Sequence, residues 1–191
     1  MRCHQRPRVL HLMLTLWFST VICTPCLAGD MALLSIGPRI GFSGSTPLLG
    51  KRETESFRMA DVAAVFTLPW SWPLGGSEWS LGTRLTASAG LLEAAGDSGL
   101  IMTVVPDLAL SGWKGLVIFD AGVGAGFFSD YKFGVQDFGG PVQFVATMGV
   151  RVNPFSHAYT GFHVQHFSDA GLYDSSSLGV DLFIVELGYR F

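Results

Sequence analysis

The sequence predicts an all-β protein: an eight-stranded antiparallel transmembrane β-barrel of the outer-membrane type, over residues 29–191, preceded by a cleaved signal peptide over residues 1–28. Three features carry this reading. The chain opens with a secretory leader, continues as eight segments whose side chains alternate in polarity with period two, and ends on an aromatic residue, Phe191.

The leader comes first. Arg2, Arg6 and Arg8 precede the apolar run VLHLMLTLWFSTVIC, and TPCLAGD follows, with small residues before a cut after Ala28. A retained anchor helix fits the same segment lengths and is the alternative. A lipid-modified cysteine fits less well, because neither Cys23 nor Cys26 follows the small residues such a site requires. All three cysteines lie in this segment, so the mature chain has no disulfide and no thiol chemistry. Removing the leader takes three of 12 basic residues and none of 15 acidic ones. Nine against 15 leaves a net charge of −6, which argues against nucleic acid as a partner.

At 191 residues the chain is long enough for one domain. Only 14% of it is charged, against roughly 25% in an ordinary soluble domain. Yet beyond residue 30 there is no uncharged apolar run of about 18 residues, so no later segment reads as a spanning helix.

The strands are predicted at about 31–43, 56–68, 79–92, 99–110, 115–128, 139–152, 158–168 and 179–191. In the third, Trp79, Leu81, Thr83, Leu85, Ala87, Ala89 and Leu91 oppose Ser80, Gly82, Arg84, Thr86, Ser88 and Gly90. In the fifth, Val117, Phe119, Ala121, Val123, Ala125 and Phe127 oppose Asp120, Gly122, Gly124 and Gly126. The sixth sets Val142, Phe144, Ala146, Met148, Val150 and Val152 against Gln143, Thr147, Gly149 and Arg151. The second is ambiguous in phase. Turn material such as AAGDSG, SGWKG, SDYKFGVQD, NPFSH and DAGLYDSSS separates the segments. PWSWPLGGSE is long for a periplasmic turn.

A soluble sandwich also alternates, but its outer face is densely coated with Lys and Glu. Here the polar face is mostly Gly, Ser, Thr and single charges. The segments run about 11–14 residues, enough to cross an outer membrane at a tilt. Closure of eight strands leaves no edge to satisfy in lipid. The last strand, with Phe183, Val185, Leu187, Tyr189 and Phe191 on one face, resembles the sorting signal of bacterial outer-membrane barrels.

Phase then places the candidate chemistry. In AYTGFHVQHFS, Phe162, Val164, His166 and Ser168 share the apolar, lipid-facing side, whereas Gly161, His163, Gln165 and Phe167 face inward. Two residues of strand rise put the Cα atoms of His166 and Ser168 roughly 6.6 Å apart. A histidine that reaches a serine hydroxyl is the pairing that activates a nucleophile, and a third group should orient the imidazole. Asp181 opens the last strand in phase with Phe183, so it faces outward near the same height. Polar residues at a membrane rim are the alternative reading of all three.

HFSDAGL followed by LGVDLFIVELGYRF resembles the C-terminal signature of the PagL-type lipid A 3-O-deacylases. These are eight-stranded outer-membrane barrels that hydrolyse an ester on lipid A. Their pattern is His-aromatic-Ser-Asn-Ala/Gly-Gly, then a loop, Gly, an apolar residue and an acidic residue. FDAGVGAGFFSD and FGGPVQFVATMGV resemble the family's fifth and sixth strands, and VVPDLAL its Pro-containing strand.

The resemblance implies a serine esterase in the bacterial outer membrane that removes a 3-O-linked acyl chain from lipopolysaccharide, with no metal or cofactor. Ser168 becomes the nucleophile, His166 the general base and Asp181 the orienting acid. Asp174 and Glu186 are poorer alternatives for that acid, because the preceding loop is one residue longer than the family's and Glu186 faces inward. The oxyanion donors become the side chain at 169 and the Gly171 N–H. Position 169 is Asp169 where the family has Asn, and an ionised carboxylate cannot donate. Surroundings of apolar chains and anionic lipid favour the protonated form, which can. The alternative function is a non-catalytic structural or adhesive barrel that keeps the scaffold. A homodimer is left open.

Other polar groups read as structural. Gly122, Gly124 and Gly126 lie within a strand and not in a nucleotide loop. His157, His163 and His166 differ in phase or height and make no metal site. His163, Gln165 and Tyr159 form an interior network, Asp107, Asp120, Arg84 and Arg151 pair in the lumen, and Trp70, Trp72 and Trp79 belong to an interfacial girdle.

Overall fold

The computed structural model describes residues 26–27, 31–44, 55–75, 78–173 and 179–191. Eight long strands form the molecule: β1 (Leu33–Ser43), β2 (Arg58–Pro73), β3 (Ser80–Ala94), β4 (Asp97–Gly112), β5 (Val117–Phe128), β6 (Val142–Val152), β7 (Ala158–Ser168) and β8 (Val180–Arg190). Each pairs antiparallel with its neighbours in sequence. β8 returns to β1, with Phe183 opposite Phe42 and Val185 opposite Ile40, so the sheet closes on itself. The predicted leader lies outside the described residues except for Cys26–Leu27, a two-residue strand that pairs with Ser71 and Trp70 of β2. No helix among the described residues is long and apolar enough to cross a membrane; the strands cross it.

The alternation is that of a membrane barrel. Ile36, Ile40, Phe42, Val62, Leu91, Val104, Leu108, Val123, Phe144, Met148 and Leu187 are exposed on the outer wall. Their neighbours Arg39, Asp61, Asp107, Arg151, His163, Gln165 and Glu186 are buried inside. Arg39 Nε donates to Asp61 Oδ1 at 2.8 Å, and Arg151 Nε to Glu186 Oε1 at 2.8 Å. His163 Nε2 meets Asp120 Oδ1 at 3.0 Å, and the Thr86 hydroxyl donates to Asp107 at 2.8 Å. Gly149 makes room for His163: a Cβ there would sit 2.1 Å from His163 Cδ2. These pairs line the lumen, and the glycines of the inner face admit them; among the described residues the expected network of His163, Gln165 and Tyr159 is not formed, because His163 bonds Asp120 instead.

At the end carrying the β1–β2, β3–β4, β5–β6 and β7–β8 connections, the extracellular end of such a barrel, the polarity inverts. Inside, Phe57, Met59, Leu92, Ile101, Phe128, Phe167, Leu182 and Ile184 form one apolar cluster. Outside stand Arg58, Glu93 and Asp97. The mouth is thus closed by an apolar core as in a soluble protein, while the outer wall passes from exposed apolar residues such as Phe42 and Phe162 to charged ones at the rim.

The structure departs from the sequence reading in three places. β2 runs 16 residues, to Pro73, because a register irregularity between Thr67 and Ser71 lets PWSWP continue the strand. The connection that looked too long is thus shortened to what lies between Pro73 and Ser80, closed by the Leu74 N–H donating to the Trp79 carbonyl at 3.0 Å. β3 and β4 extend past the predicted ends to a two-residue turn, Ala95 (φ 53°) and Gly96 (φ 89°), whose left-handed pair matches the twist of a hairpin. The SDYKFGVQD segment is a plug and not a plain turn. Lys132–Phe133 pairs with Gln136–Asp137, and Phe133 and Phe138, both fully buried, pack edge-on against Phe57 with ring centroids 5.5 and 5.6 Å apart.

Removal of Arg151 strands a buried carboxylate. Arg151→Ala should lower unfolding free energy by about 3–5 kcal/mol, measured by urea titration in detergent, and Arg151→Met with Glu186→Gln should recover most of it.

Candidate active site

The site is built from the top of β7. Phe167 points inward and packs on Phe128, with ring centroids 5.3 Å apart. Because strand side chains alternate, burial of Phe167 holds His166 and Ser168 on the outer face. The β7–β8 register puts His166 directly opposite Asp181. The two side chains meet, His166 Nδ1 to Asp181 Oδ1, at 2.6 Å, with Asp181 1% exposed and His166 15% exposed. A carboxylate can only accept here, so the proton sits on Nδ1 and leaves Nε2 as the basic nitrogen.

Ser168 lies two residues on, half-buried, on the same face and opposite Phe144 of β6. Among the described residues no hydrogen bond joins its hydroxyl to His166. Gly179 is the residue that admits the imidazole: a Cβ at that position would lie 3.1 Å from His166 Cε1 and 2.6 Å from the Phe167 carbonyl oxygen. In the sequence Gly179 stands only as the glycine of the pattern that precedes the acidic residue. Its place two residues before Asp181, on the face of the sheet that carries His166, is the signal that could have assigned it a role.

The chain after Ser168 turns through two left-handed residues, Ala170 (φ 50°) and Gly171 (φ 81°). Asp169 is buried at the centre of this turn. Gly171 N–H donates to its Oδ1 at 3.1 Å, Tyr173 N–H to its Oδ2 at 3.2 Å, and Leu172 N–H to its backbone oxygen at 3.0 Å. The two groups expected to share an oxyanion are thus bonded to each other, and Asp169 acts as an acceptor where a donor was expected. Tyr173, unmarked in the sequence, crosses to the β5–β6 connection. Its hydroxyl accepts the Val142 N–H at 3.2 Å, and its ring covers Gly140, where a Cβ would lie 2.3 Å from Cζ.

The alternatives for the orienting acid fall elsewhere. Glu186 faces the lumen on Arg151, and Asp174 lies outside the described residues. Among those residues no group of three or more His, Cys, Asp or Glu side chains could hold a metal ion.

The surroundings of the dyad are apolar. Phe42, Phe144 and Phe162 are exposed on the outer wall, and Phe162 stacks on Phe183 with centroids 6.4 Å apart. The dyad therefore stands at the upper rim of the lipid-facing band.

Residues 58–190, spanning seven of the eight strands and all of this site, match the family described as Lipid A 3-O-deacylase (PagL). The chain belongs to the PagL family. It is accordingly a β-barrel of the bacterial outer membrane. The solved structure described as the outer membrane enzyme PagL superposes with a TM-score of 0.69 at 17% identity, covering 82% of this chain and 99% of that one. A second solved structure, Ail, the attachment invasion locus protein of Yersinia pestis, in complex with a heparin analogue, gives a TM-score of 0.41 at 15% identity, covering 84% and 98%. No curated protein sequence matches the chain. The likeness to the PagL structure supports the fold, and the family match shows the membership.

Gly179→Ala should dislodge the imidazole. In detergent-solubilised protein, the downfield His166 Nδ1–H proton resonance expected of a 2.6 Å bond to Asp181 should vanish or shift upfield, while heat-modifiable migration of the barrel is kept.

Proposed function

We propose that this PagL-family protein is an active lipid A 3-O-deacylase of the Ser-His-Asp type. The observation that carries the reading is the His166–Asp181 bond, made on the outer wall at the lipid rim beside Ser168. A bonded histidine and acid are expensive on a lipid-facing surface, and a purely structural pair would be better placed in the lumen, where Arg39–Asp61 and Arg151–Glu186 lie.

In the mechanism, Asp181 holds the Nδ1–H and His166 Nε2 takes the proton of Ser168 as its oxygen attacks the ester carbonyl. A rotation of the serine side chain brings the hydroxyl to Nε2. Such bonds are commonly loose without substrate and tighten once it is bound. The tetrahedral intermediate collapses with cleavage of the bond to the 3-oxygen of the sugar, which takes the proton from His166. Water, deprotonated by the same nitrogen, then releases the fatty acid and restores Ser168. The amphiphilic substrate suits the rim, with the sugar level with the loops and the acyl chain along the wall near Phe144.

A second reading, a catalytically silent barrel, is favoured by one observation: Asp169 occupies the Gly171 N–H. Two measurements separate the readings. Mass analysis of lipid A from cells expressing the protein should show loss of one 3-O-acyl chain. Ser168→Ala and His166→Asn should abolish that loss without affecting insertion, and Asp181→Ala should reduce it by a large factor, whereas Glu186→Gln should leave the rate per folded molecule unchanged. Unaltered lipid A with wild-type protein would establish the silent barrel.

Asp169→Asn replaces an acceptor with a side chain that can donate. It should raise the deacylation rate by at least about 10-fold, on the scale of one oxyanion donor. A lowered rate in a purified detergent assay would show that the carboxylate itself serves the reaction.

A further inference from the structure

We infer that Gln136, on the plug between β5 and β6, is a positioning residue for His166, acting through Gly179. This rests on the esterase reading above. Gln136 is fully buried, and its Nε2 donates to the Gly179 carbonyl oxygen at 3.3 Å. Gly179 is the surface on which the imidazole leans: its absent Cβ would be 3.1 Å from His166 Cε1 and 3.5 Å from Nε2. A glycine has no side chain to pack, so little but hydrogen bonding through its peptide groups fixes its position. The carbonyl held by Gln136 belongs to the residue that sets how far Nε2 reaches.

The donor stands on a firm base. The hairpin carrying Gln136 is closed by the Phe133–Gln136 pairing, and Phe133 and Phe138 lie within the aromatic cluster, 6.1 Å apart. Gly134 N–H donates to Asp97 of β4 at 2.9 Å, and Val135 N–H to Glu55 at 3.3 Å. The plug is thus tied to the opposite side of the barrel mouth and reaches the site from within. A shift of about 1 Å in a catalytic group can reduce a rate by about 10²-fold, so loss of this tether should be visible in catalysis before it is visible in folding.

The test uses full-length protein in detergent with purified lipopolysaccharide. Gln136→Leu removes the donor and keeps bulk; Gln136→Glu keeps the shape and replaces the donating amide, and serves if the leucine variant does not fold. Each should lower kcat by about 10-fold with KM within about 2-fold, and each should shift or broaden the His166 Nδ1–H resonance in the absence of substrate. Gln143→Leu is the control. Gln143 donates to the Phe138 and Gly140 carbonyls within the same connection and does not touch Gly179, so its kcat per folded molecule and its imidazole resonance should match the wild type.

Unchanged kcat and resonance in a folded Gln136 variant would overturn the inference. So would a loss of activity that only follows the folded fraction, with the resonance intact. If the wild type itself proves inactive, the esterase reading fails, yet the resonance still decides whether Gln136 positions His166.

Discussion

Everything in this molecule depends on which side of the wall a side chain faces. A strand in a closed sheet satisfies its backbone with its neighbours, so the remaining constraint falls on the side chains, which alternate between a lumen and a hydrocarbon phase. Register and phase are then one quantity. A slip of one residue in β7 would bring His163 and Gln165 into lipid and turn His166 and Ser168 into the lumen. Opposed in-register pairing of β7 with β8 is what makes residues 15 apart in sequence, His166 and Asp181, into a bonded pair.

The interior is divided to hold that phase. In the membrane-spanning part, the buried ion pair Arg39–Asp61 links the adjacent β1 and β2, and Arg151–Glu186 reaches past β7 to link β6 with β8. Such pairs contribute little net stability against an apolar core, but breaking one is costly, and each penalises a wrong register. Near the mouth the same role passes to aromatic packing. Phe167 is the junction: it belongs to the apolar cluster inside and separates two site residues outside. The plug fills the mouth and so sets the position of the strand ends from which the site is made.

Much of this was legible in the sequence because alternation is a local property. Eight segments, their phase, the outward His166 and Ser168 and the inward Glu186 follow from counting by twos. Asp181 was legible in phase but open in register, since a loop of uncertain length gives no constraint on which residues face each other; the pairing with β7 supplies it. The continuation of β2 through PWSWP was hidden because prolines mask a strand that pairs through its other groups. The plug was hidden for a different reason. Phe133 and Phe138 sit among turn-forming residues, and nothing local says that a loop will fold back to fill a barrel. Gln136 and Tyr173 depend on that fold-back, so their contacts could not be read from their neighbours in sequence.

The position of Asp169 shows how the rim shapes chemistry. A serine esterase must stabilise negative charge on the former carbonyl oxygen, and at a lipid surface there is little water to assist. Backbone N–H groups in a left-handed turn are the natural donors, and the Ala170–Gly171 turn supplies such a geometry. Here the carboxylate of Asp169 already fills that concavity, accepting from Gly171 and Tyr173. A carboxyl group seated in the turn occupies the backbone N–H groups that an oxyanion would need, so an oxyanion must displace or share it. An amide at the same position can accept one backbone N–H while presenting its own N–H to the substrate, which an ionised carboxylate cannot do. Under the proposed esterase mechanism, a single exchange of oxygen for nitrogen decides whether the turn stabilises itself or the reaction.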